Sequence, residues 1–349
     1  MQKITANIHL NHIRRNAKTF LELTGKPLCA VVKANAYGHG AVQVVNALEG
    51  VADCFAVALL DEAIEISTAA CGKDILIFTP PLCETDVLSA AWHNFILTVD
   101  SEQTARLVDR VANAAKIPVR THMKVNTGMN RYGMNAQSLG KACRLLKENA
   151  YVRVEGLYSH IYGDTFALAA QSLEKFLCMQ RIAKRYFPQL ICHLSATYGA
   201  LLGKEYHLDM TRIGIGLYGY LPAGEKRFTP ALHKAMSVYA PVVYTRRYQG
   251  GGAGYGKPLE GIPKDGCLSV VRSGYADGFL RQKQNGAFGC QTHANAWCMD
   301  AHIREGRYKK GEVVPIMLDA DETARITQTI PYEVLCAVTR RAQFVYDWE

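Results

Sequence analysis

Eight short apolar segments recur along the first 220 residues, and their alternation with helical stretches constrains the fold more than any other feature. Each segment has the length of a buried strand and is followed by a loop and usually by a stretch of helical period. The apolar segments are residues 28–33, 54–59, 74–79, 96–100, 118–125, 154–161, 190–196 and 212–220. The helical stretches are residues 41–48, 60–70, 101–114, 136–149 and 167–186. This order predicts an α/β fold, a (β/α)8 TIM-type barrel.

The pattern changes after residue 225, where β-rich stretches are broken by glycine and proline, as at residues 250–256 and 313–318. We therefore expect a barrel over residues 1–225 and a smaller, mostly-β C-terminal domain over residues 226–349. Residues 1–9 alternate apolar and polar side chains and are candidates to pair with that β domain.

Composition argues against several classes of protein. The net charge is +9, but no basic run is interleaved with aromatic residues, so we expect no nucleic-acid partner. The 11 cysteines form no CxxC pair, which favours buried reduced thiols over a metal site. The chain shows neither a secretory signal nor an apolar run of membrane-spanning length, so we expect a cytoplasmic location and no membrane association.

Polar candidates follow the predicted strands, where barrel enzymes place their chemistry. Lys33 ends the first strand, Arg131 follows the fifth and His160 ends the sixth. Thr197 follows the seventh strand, and Arg212 is part of the eighth. Loops after the last two strands of such barrels commonly bind phosphate. The pattern therefore indicates a phosphorylated cofactor.

Five motifs carry a resemblance to a known family. VVKANAYGHG, TRIGIGLYG, VRSGYADGFLR, WCMD and IPYEV occur in the order found in the alanine racemases, and the resemblance covers nearly the whole chain. It implies a barrel that binds pyridoxal 5'-phosphate, followed by a β domain. The expected activity is interconversion of L- and D-alanine, which supplies D-alanine for peptidoglycan.

The resemblance implies catalytic roles for four residues and a supporting role for His193. Lys33 holds the cofactor covalently and moves a proton on one face of the substrate Cα, and Tyr275 serves the opposite face. His160 supports that tyrosine. Arg212 faces the pyridine nitrogen, where a guanidinium donates a hydrogen bond but does not readily give up a proton, and His193 buttresses it.

The same resemblance implies binding residues. The cofactor phosphate is expected to contact side chains or backbone N–H groups of Tyr37, Ser195, Thr197, Gly214, Ile215 and Tyr332. The substrate carboxylate is expected to bind Arg131 and the backbone of Met299. Lys124 lies where some family members carry a carbamylated lysine, and its modification state stays open.

The chain departs from the family pattern over residues 282–325, where Met299 and Asp300 are followed by Ala301 and His302. Family members carry glutamine after Met-Asp, so the position of Met299 and the dimer contacts of this region stay open. The resemblance implies a head-to-tail homodimer whose active sites join the barrel of one chain to the β domain of the other.

Three alternatives compete with an alanine racemase. Serine or broader amino-acid racemisation is open because alanine and serine differ by one hydroxyl group. A pyridoxal-phosphate-binding regulatory protein is compatible with the altered segment. A decarboxylase of basic amino acids shares the lysine-bearing strand, but the GYADG tyrosine argues against it.

Overall fold

The computed structural model of the chain describes residues 3–252, 266–279 and 297–348. The chain forms two compact units. One comprises Ile13–Ala36 and Ala41–His233, and the other comprises Met1–His12, Tyr37–Gly40 and Lys234–Glu349. Parts of two predicted segments, residues 253–256 and 282–296, lie outside the described residues.

The first unit is a nearly closed barrel. Strand β1 (Thr5–His9) belongs to the other unit. The barrel strands are β2 (Leu28–Val31), β3 (Cys54–Val57), β4 (Ile75–Ile77), β5 (Ile96–Val99), β6 (Val119–Lys124), β7 (Val152–Tyr158), β8 (Ile191–His193) and β9 (Thr211–Ile213). All pair in parallel, in the order β8-β7-β6-β5-β4-β3-β2-β9. The Arg212 N–H donates to the Ser195 carbonyl at 3.0 Å and links the two ends.

The predicted barrel is confirmed, because each of the eight apolar segments overlaps one barrel strand. The segment 212–220 overlaps β9 only at Arg212 and Ile213 and continues as a short 3-10 helix over Ile215–Tyr218. Strands such as Ile96–Val99 are buried at every position, since the interior is packed on one side and helices cover the other. This burial on both faces explains why the segments are continuously apolar instead of alternating. The segment 190–196 contributes only Ile191–His193 as strand.

Helices connect the barrel strands. Their bounds are α1 (Leu10–Thr24), α2 (Lys33–Gly38), α3 (Ala41–Ala47), α4 (Leu60–Ile66), α5 (Glu84–Trp92), α6 (Glu102–Ala115), α7 (Ala136–Glu148), α8 (Phe166–Lys184) and α9 (Thr197–Ala200). Side-chain caps begin three of the predicted helices, because the side chains of Ser101, Asn135 and Thr165 each accept a hydrogen bond from a backbone N–H of the first turn. Helix α5 lies where the sequence pattern predicted no helix. No helix of the described residues is both long enough and apolar enough to cross a membrane.

The second unit is mostly β, as predicted. Its further elements are β10 (Met236–Arg247), β11 (Cys267–Val271), β12 (His302–Glu305), β13 (Val313–Met317), α10 (Ala320–Thr327), α11 (Pro331–Ala337) and β14 (Gln343–Asp347). Within the described residues the sheet has the order β12-β11-β10-β1-β14, and β13 also pairs with β10. Strand β1 is antiparallel to β10 and parallel to β14. The two helices were not predicted from the pattern.

Candidate active site

Lys33 begins a short turn of left-handed helix. The next four residues, Ala34 to Tyr37, have φ values of +52° to +53°, although none of them is glycine. The Ala36 N–H donates to the Val32 carbonyl at 2.8 Å, which closes the turn. At roughly 1–2 kcal/mol for each L-residue in this conformation, the turn stores about 4–8 kcal/mol of backbone strain.

Two side chains stabilise this strained turn. The Ala34 N–H donates to Glu62 Oε1 at 2.7 Å, and the Ala41 N–H donates to Asn35 Oδ1 at 2.7 Å. Glu62 also accepts from the backbone N–H groups of Ala58 and Leu59, so it ties the turn to the end of the next strand. Strain of this kind is concentrated at functional sites, because the surrounding structure must hold it in place.

A cluster of positive charge surrounds His160 at the carboxyl ends of the strands. The pKa of His160 is lowered to about 3, first by burial and then by the positive charges of Arg212, Lys124, Arg131 and Lys33. His160 is therefore neutral at physiological pH. The charges of Arg212, Arg131 and Lys33, together with the protonated fraction of Lys124, favour anionic groups at this end of the barrel.

Arg212 is 3% exposed and anchored on three sides. Its NH2 group donates to the carbonyls of Ser159 at 2.7 Å and Leu194 at 3.1 Å, and its NH1 group lies 2.7 Å from His193 Nδ1. Burial and the charge of Arg212 lower the pKa of His193 well below its usual value. His193 is therefore a neutral acceptor for the guanidinium.

Tyr158 packs between the charged groups of this cluster. Its ring stacks on His193 with centroids 4.9 Å apart and an interplanar angle of 3°. Lys124 Nζ lies 4.2 Å from the ring centroid and the Arg212 guanidinium lies 5.3 Å from it, both as cation–π contacts. Its hydroxyl bonds Thr98 Oγ1 at 2.7 Å. The stacking fixes the plane of His193, on which the bond to Arg212 depends.

Lys124 is buried on β6, with 8% of its surface exposed. Its pKa is lowered to about 7, first by burial and then by the positive charges of Arg212 and Arg131, although Asp100 opposes the shift. Near neutral pH a large fraction of this amine is therefore uncharged. An uncharged lysine amine is nucleophilic, whereas an ammonium group is not.

Arg131 lies in the loop after β6, and a close backbone approach shapes this loop. Gly133 has φ +116°, and a Cβ added there would lie 2.5 Å from the Val125 carbonyl carbon. Any larger residue would therefore push the loop away from β6. Arg131 is exposed, and its charge acts on both His160 and Lys124.

The loops after β8 and β9 meet at Thr197. Its hydroxyl accepts hydrogen bonds from the backbone N–H groups of Gly214 at 3.3 Å and Gly216 at 3.2 Å. Because both bonds are accepted, the hydroxyl keeps its own hydrogen to donate to a further acceptor. Ser195 Oγ instead donates to the Tyr206 carbonyl at 2.6 Å, which gives this side chain a structural partner.

Tyr37 and Tyr332 lie together in the second unit, with ring centroids 6.1 Å apart. Tyr332 is in the first turn of α11, and burial raises its pKa to about 12. Burial also raises the pKa of Tyr37 above its usual value. Both phenols are therefore protonated near neutral pH and can donate hydrogen bonds.

Tyr275 and Met299 are neighbours in the second unit. The Tyr275 N–H donates to the Cys298 carbonyl at 3.1 Å, and the Ala276 N–H donates to the Met299 carbonyl at 2.9 Å. A Cβ on Gly274 would lie 2.3 Å from the Met299 carbonyl oxygen, so only glycine permits this approach. The side chains of Tyr275 and Met299 are 41% and 54% exposed.

The turn that carries Tyr275 is held by a buried carboxylate. Asp277 is 1% exposed and accepts from the Gly274 N–H at 2.9 Å and from Arg341 Nε at 2.7 Å. Arg341 NH2 in turn donates to Asp300 at 2.9 Å. Asp300 follows Met299, so one arginine ties the two segments together.

The structure thus collects the predicted barrel residues at one end of the barrel and the other predicted residues in the second unit. Lys33, Arg131, His160, His193, Ser195, Thr197, Arg212, Gly214 and Ile215 belong to the barrel, and Tyr37, Tyr275, Met299 and Tyr332 belong to the second unit. The sequence reasoning missed Glu62, His122 and Tyr158. The spacing of His122 from Lys124, and of Tyr158 from His160, was a usable signal, because alternate residues of a barrel strand face the interior.

The fold and the site define a barrel enzyme whose carboxyl-end loops and cationic side chains suit an anionic cofactor and substrate. Residues 8–222 match the family model for the N-terminal domain of alanine racemase, and residues 235–346 match the model for its C-terminal domain. The chain belongs to the alanine racemase family. Members of this family are isomerases that use pyridoxal phosphate.

Similar proteins cover the full length of the chain. The alanine racemase of Desulfovibrio desulfuricans is 30% identical over 98% of this chain and 98% of its own. The biosynthetic alanine racemase of Pseudomonas aeruginosa has a similar structure, with a TM-score of 0.85 and 28% identity over 99% of this chain and 100% of its own. An alanine racemase of Clostridium difficile gives a TM-score of 0.89 and 27% identity over 99% and 96% of the two chains.

Proposed function

We propose that this protein interconverts L- and D-alanine with bound pyridoxal phosphate and so supplies D-alanine for peptidoglycan. The observation that carries the proposal is that Lys33 begins the helix just after β2 while Arg212 lies on β9, and these two strands pair in parallel. This neighbourhood supports the proposal that one site uses the amine of Lys33 and the guanidinium of Arg212. The names of the full-length relatives support alanine as the substrate.

The donor set fits this cofactor. A phosphate dianion needs several uncharged or cationic donors, and the proposed donors are the Thr197 hydroxyl, the backbone N–H of Ile215 and the protonated phenols of Tyr37 and Tyr332. The Gly214 N–H, which donates to Thr197, would hold that hydroxyl in position. His193 would act through its bond to Arg212, and Ser195 is proposed only as an additional contact, because its hydroxyl already donates to the Tyr206 carbonyl. The excess of positive charge around His160 also favours an anionic cofactor and a carboxylate substrate.

When bound, the cofactor withdraws electrons from the substrate Cα and makes its proton acidic. Lys33 takes or returns that proton on one face, and Tyr275 does so on the opposite face. Arg131, with the backbone of Met299, holds the substrate carboxylate. Arg212 donates a hydrogen bond to the ring nitrogen without transferring a proton, which limits side reactions.

The remaining roles rest on the family resemblance. His160 supports the Tyr275 hydroxyl, which needs donors or positive charge to act as a base near neutral pH. Tyr275 and Met299 reach the barrel from a second copy of the chain in a head-to-tail homodimer. The proposed location is the cytoplasm, and cell fractionation tests it.

Chiral chromatography tests the proposed reaction. The purified protein, loaded with pyridoxal phosphate, is incubated with each of the nineteen chiral standard L-amino acids, and Lys33→Arg serves as a control that keeps the charge but cannot bond the cofactor. We expect D-alanine from the unaltered protein only. Faster formation of D-serine would favour the serine alternative, and cofactor binding without any D-product would favour a regulatory protein.

A further inference from the structure

Behind Arg212, two buried histidines form a row of hydrogen-bonded side chains. The proposed function assigns a role to His193 but none to His122. His193 Nδ1 lies 2.7 Å from Arg212 NH1, and His193 Nε2 lies 2.9 Å from His122 Nδ1. His122 is on β6 and is 3% exposed. This row of side chains extends from the carboxyl ends of the strands, where Arg212 acts, toward their amino ends.

The hydrogen-bond donors in this row of side chains determine which ring nitrogen of each histidine carries the proton. A guanidinium can only donate, so His193 Nδ1 must accept from Arg212. His193 is neutral, so its single ring proton is on Nε2 and is donated to His122 Nδ1. The pKa of His122 is lowered to about 3, first by burial, so this ring is also neutral and carries its proton on Nε2.

The reverse arrangement would break the contact with Arg212. If His122 carried its proton on Nδ1, it would donate to His193 Nε2, and the His193 proton would move to Nδ1. Two N–H donors would then face each other across 2.7 Å at the buried arginine. The tautomer of His122 therefore decides whether Arg212 keeps its partner.

Two features of the strands place His122 in this position. The register of β6 against β7 shifts between Thr121 and His122, so His122 pairs with Gly156 and Glu155 is skipped. Such a shift re-aims a side chain at the point where it occurs. A Cβ on Gly156 would lie 2.6 Å from His122 ring atoms, so the ring occupies space that only glycine leaves.

The far side of His122 faces a separate space. With Arg120, Asp74 and Glu155 it lines a cavity of about 660 Å³ at the amino ends of the strands. Within the described residues, His122 Nε2 has no hydrogen-bond partner. No side chain of the described residues therefore competes with His193 for control of the His122 tautomer.

We propose that His122 is a positioning residue that fixes the His193 tautomer and thereby holds Arg212 as a donor toward the cofactor ring. The expected effect on catalysis rests on the proposed function. The assignment of the His122 and His193 tautomers does not, because it concerns only these two side chains. Of the five guanidinium N–H groups, three are bonded to described residues. The remaining two N–H groups are oriented by that anchoring.

Nitrogen-15 NMR of histidine-labelled protein tests the structural part, with and without pyridoxal phosphate. We expect His193 and His122 to be neutral, each with its proton on Nε2, and His122→Asn assigns the signals. A proton on Nδ1 of either ring overturns the proposal. This result does not depend on activity.

The effect of His122 on catalysis is tested by a ratio of two rates. We count how many times the enzyme racemises alanine for each time the side reaction, half-transamination of the cofactor, occurs. In His122→Leu, which cannot accept from His193, we expect this ratio to fall by about 10–100-fold, the scale seen when outer partners of metal-binding histidines are removed. His122→Asn places an acceptor oxygen near the former Nδ1 and should retain most of the ratio. Gly156→Ala should lower it, because it displaces the ring without removing it.

An unchanged ratio in His122→Leu, or an equal fall in His122→Asn, overturns the positioning role. A KM for alanine that rises in parallel would indicate a general structural loss and would also overturn it. If the unaltered protein forms no D-alanine, the proposed function fails, while the NMR result still decides the tautomer chain.

Discussion

Acid should destabilise the protein through its buried neutral histidines, and two of them, in different units, allow a test. His122 in the barrel and His302 in the second unit are 3% and 0% exposed, and burial is the first cause that lowers the pKa of each to about 3. In the unfolded chain a histidine takes up a proton below about pH 6.5. Between about pH 6.5 and pH 3 the unfolded state therefore binds more protons, and stability falls as the pH falls.

The size of the effect follows from the interval between the two pKa values. At pH 5.0, about 1.5 units below the unfolded value, each histidine costs about 2 kcal/mol of unfolding free energy relative to pH 7.5. His122→Asn and His302→Asn should each remove about 2 kcal/mol of this pH dependence, whatever they do to stability at pH 7.5. Their effects should add, because the two sites share no partner in the described structure.

Urea unfolding, followed by tryptophan fluorescence, gives the free energy of unfolding at pH 7.5 and at pH 5.0 for the parent protein and for each variant. Paired carboxylates such as Asp74, whose pKa is lowered chiefly by its bond to Arg120, contribute mainly below this interval. The reasoning is refuted if both variants lose as much stability between the two pH values as the parent protein. It would then follow that the folded protein protonates these rings.

Three further predictions concern the site. In deuterated water Tyr275→Phe should still exchange the Cα proton of D-alanine but scarcely that of L-alanine, and racemisation should fall by about 10²–10⁴-fold; equal loss for both enantiomers would exclude a one-face role. Mixing inactive Lys33→Ala and Tyr275→Phe chains should restore activity if sites are shared, whereas failure after demonstrated subunit exchange would indicate sites within single chains. Because the pKa of Lys124 is about 7, its amine should bind CO2 near neutral pH, giving a carbon-13 carbamate signal from labelled bicarbonate that Lys124→Met lacks.

The barrel could be predicted because strands buried on both faces leave continuous apolar segments, such as Ile96–Val99, that are separable by eye. Helix α5 was missed because Glu84–Trp92 is short and follows two prolines, which mark a loop. The two helices of the second unit were hidden by the β-rich composition around them. Pro331 at the start of α11 was a usable signal, since proline is favoured at that position.

The sequence predicted site residues that lie at strand ends or in motifs, but not those that are brought together by contacts between distant parts of the chain. Strand ends and motifs pointed to Lys33, His160 and Arg212, and the charges of Lys33 and Arg212 contribute to the low pKa of His160. The left-handed turn was not predictable, because Ala34 to Tyr37 contain no glycine and the strain is maintained by Glu62 from another part of the chain. The pairing of His122 with His193 depends on a register shift between two strands, which is a property of long-range pairing.

The central claim is that Lys33 holds the cofactor through which the protein racemises alanine. Borohydride reduction of the protein loaded with pyridoxal phosphate, followed by peptide mapping, tests it most directly. The account predicts a single labelled lysine, Lys33, with loss of racemase activity in proportion to the label. Label on another lysine, or a protein that takes up no cofactor, would contradict the account.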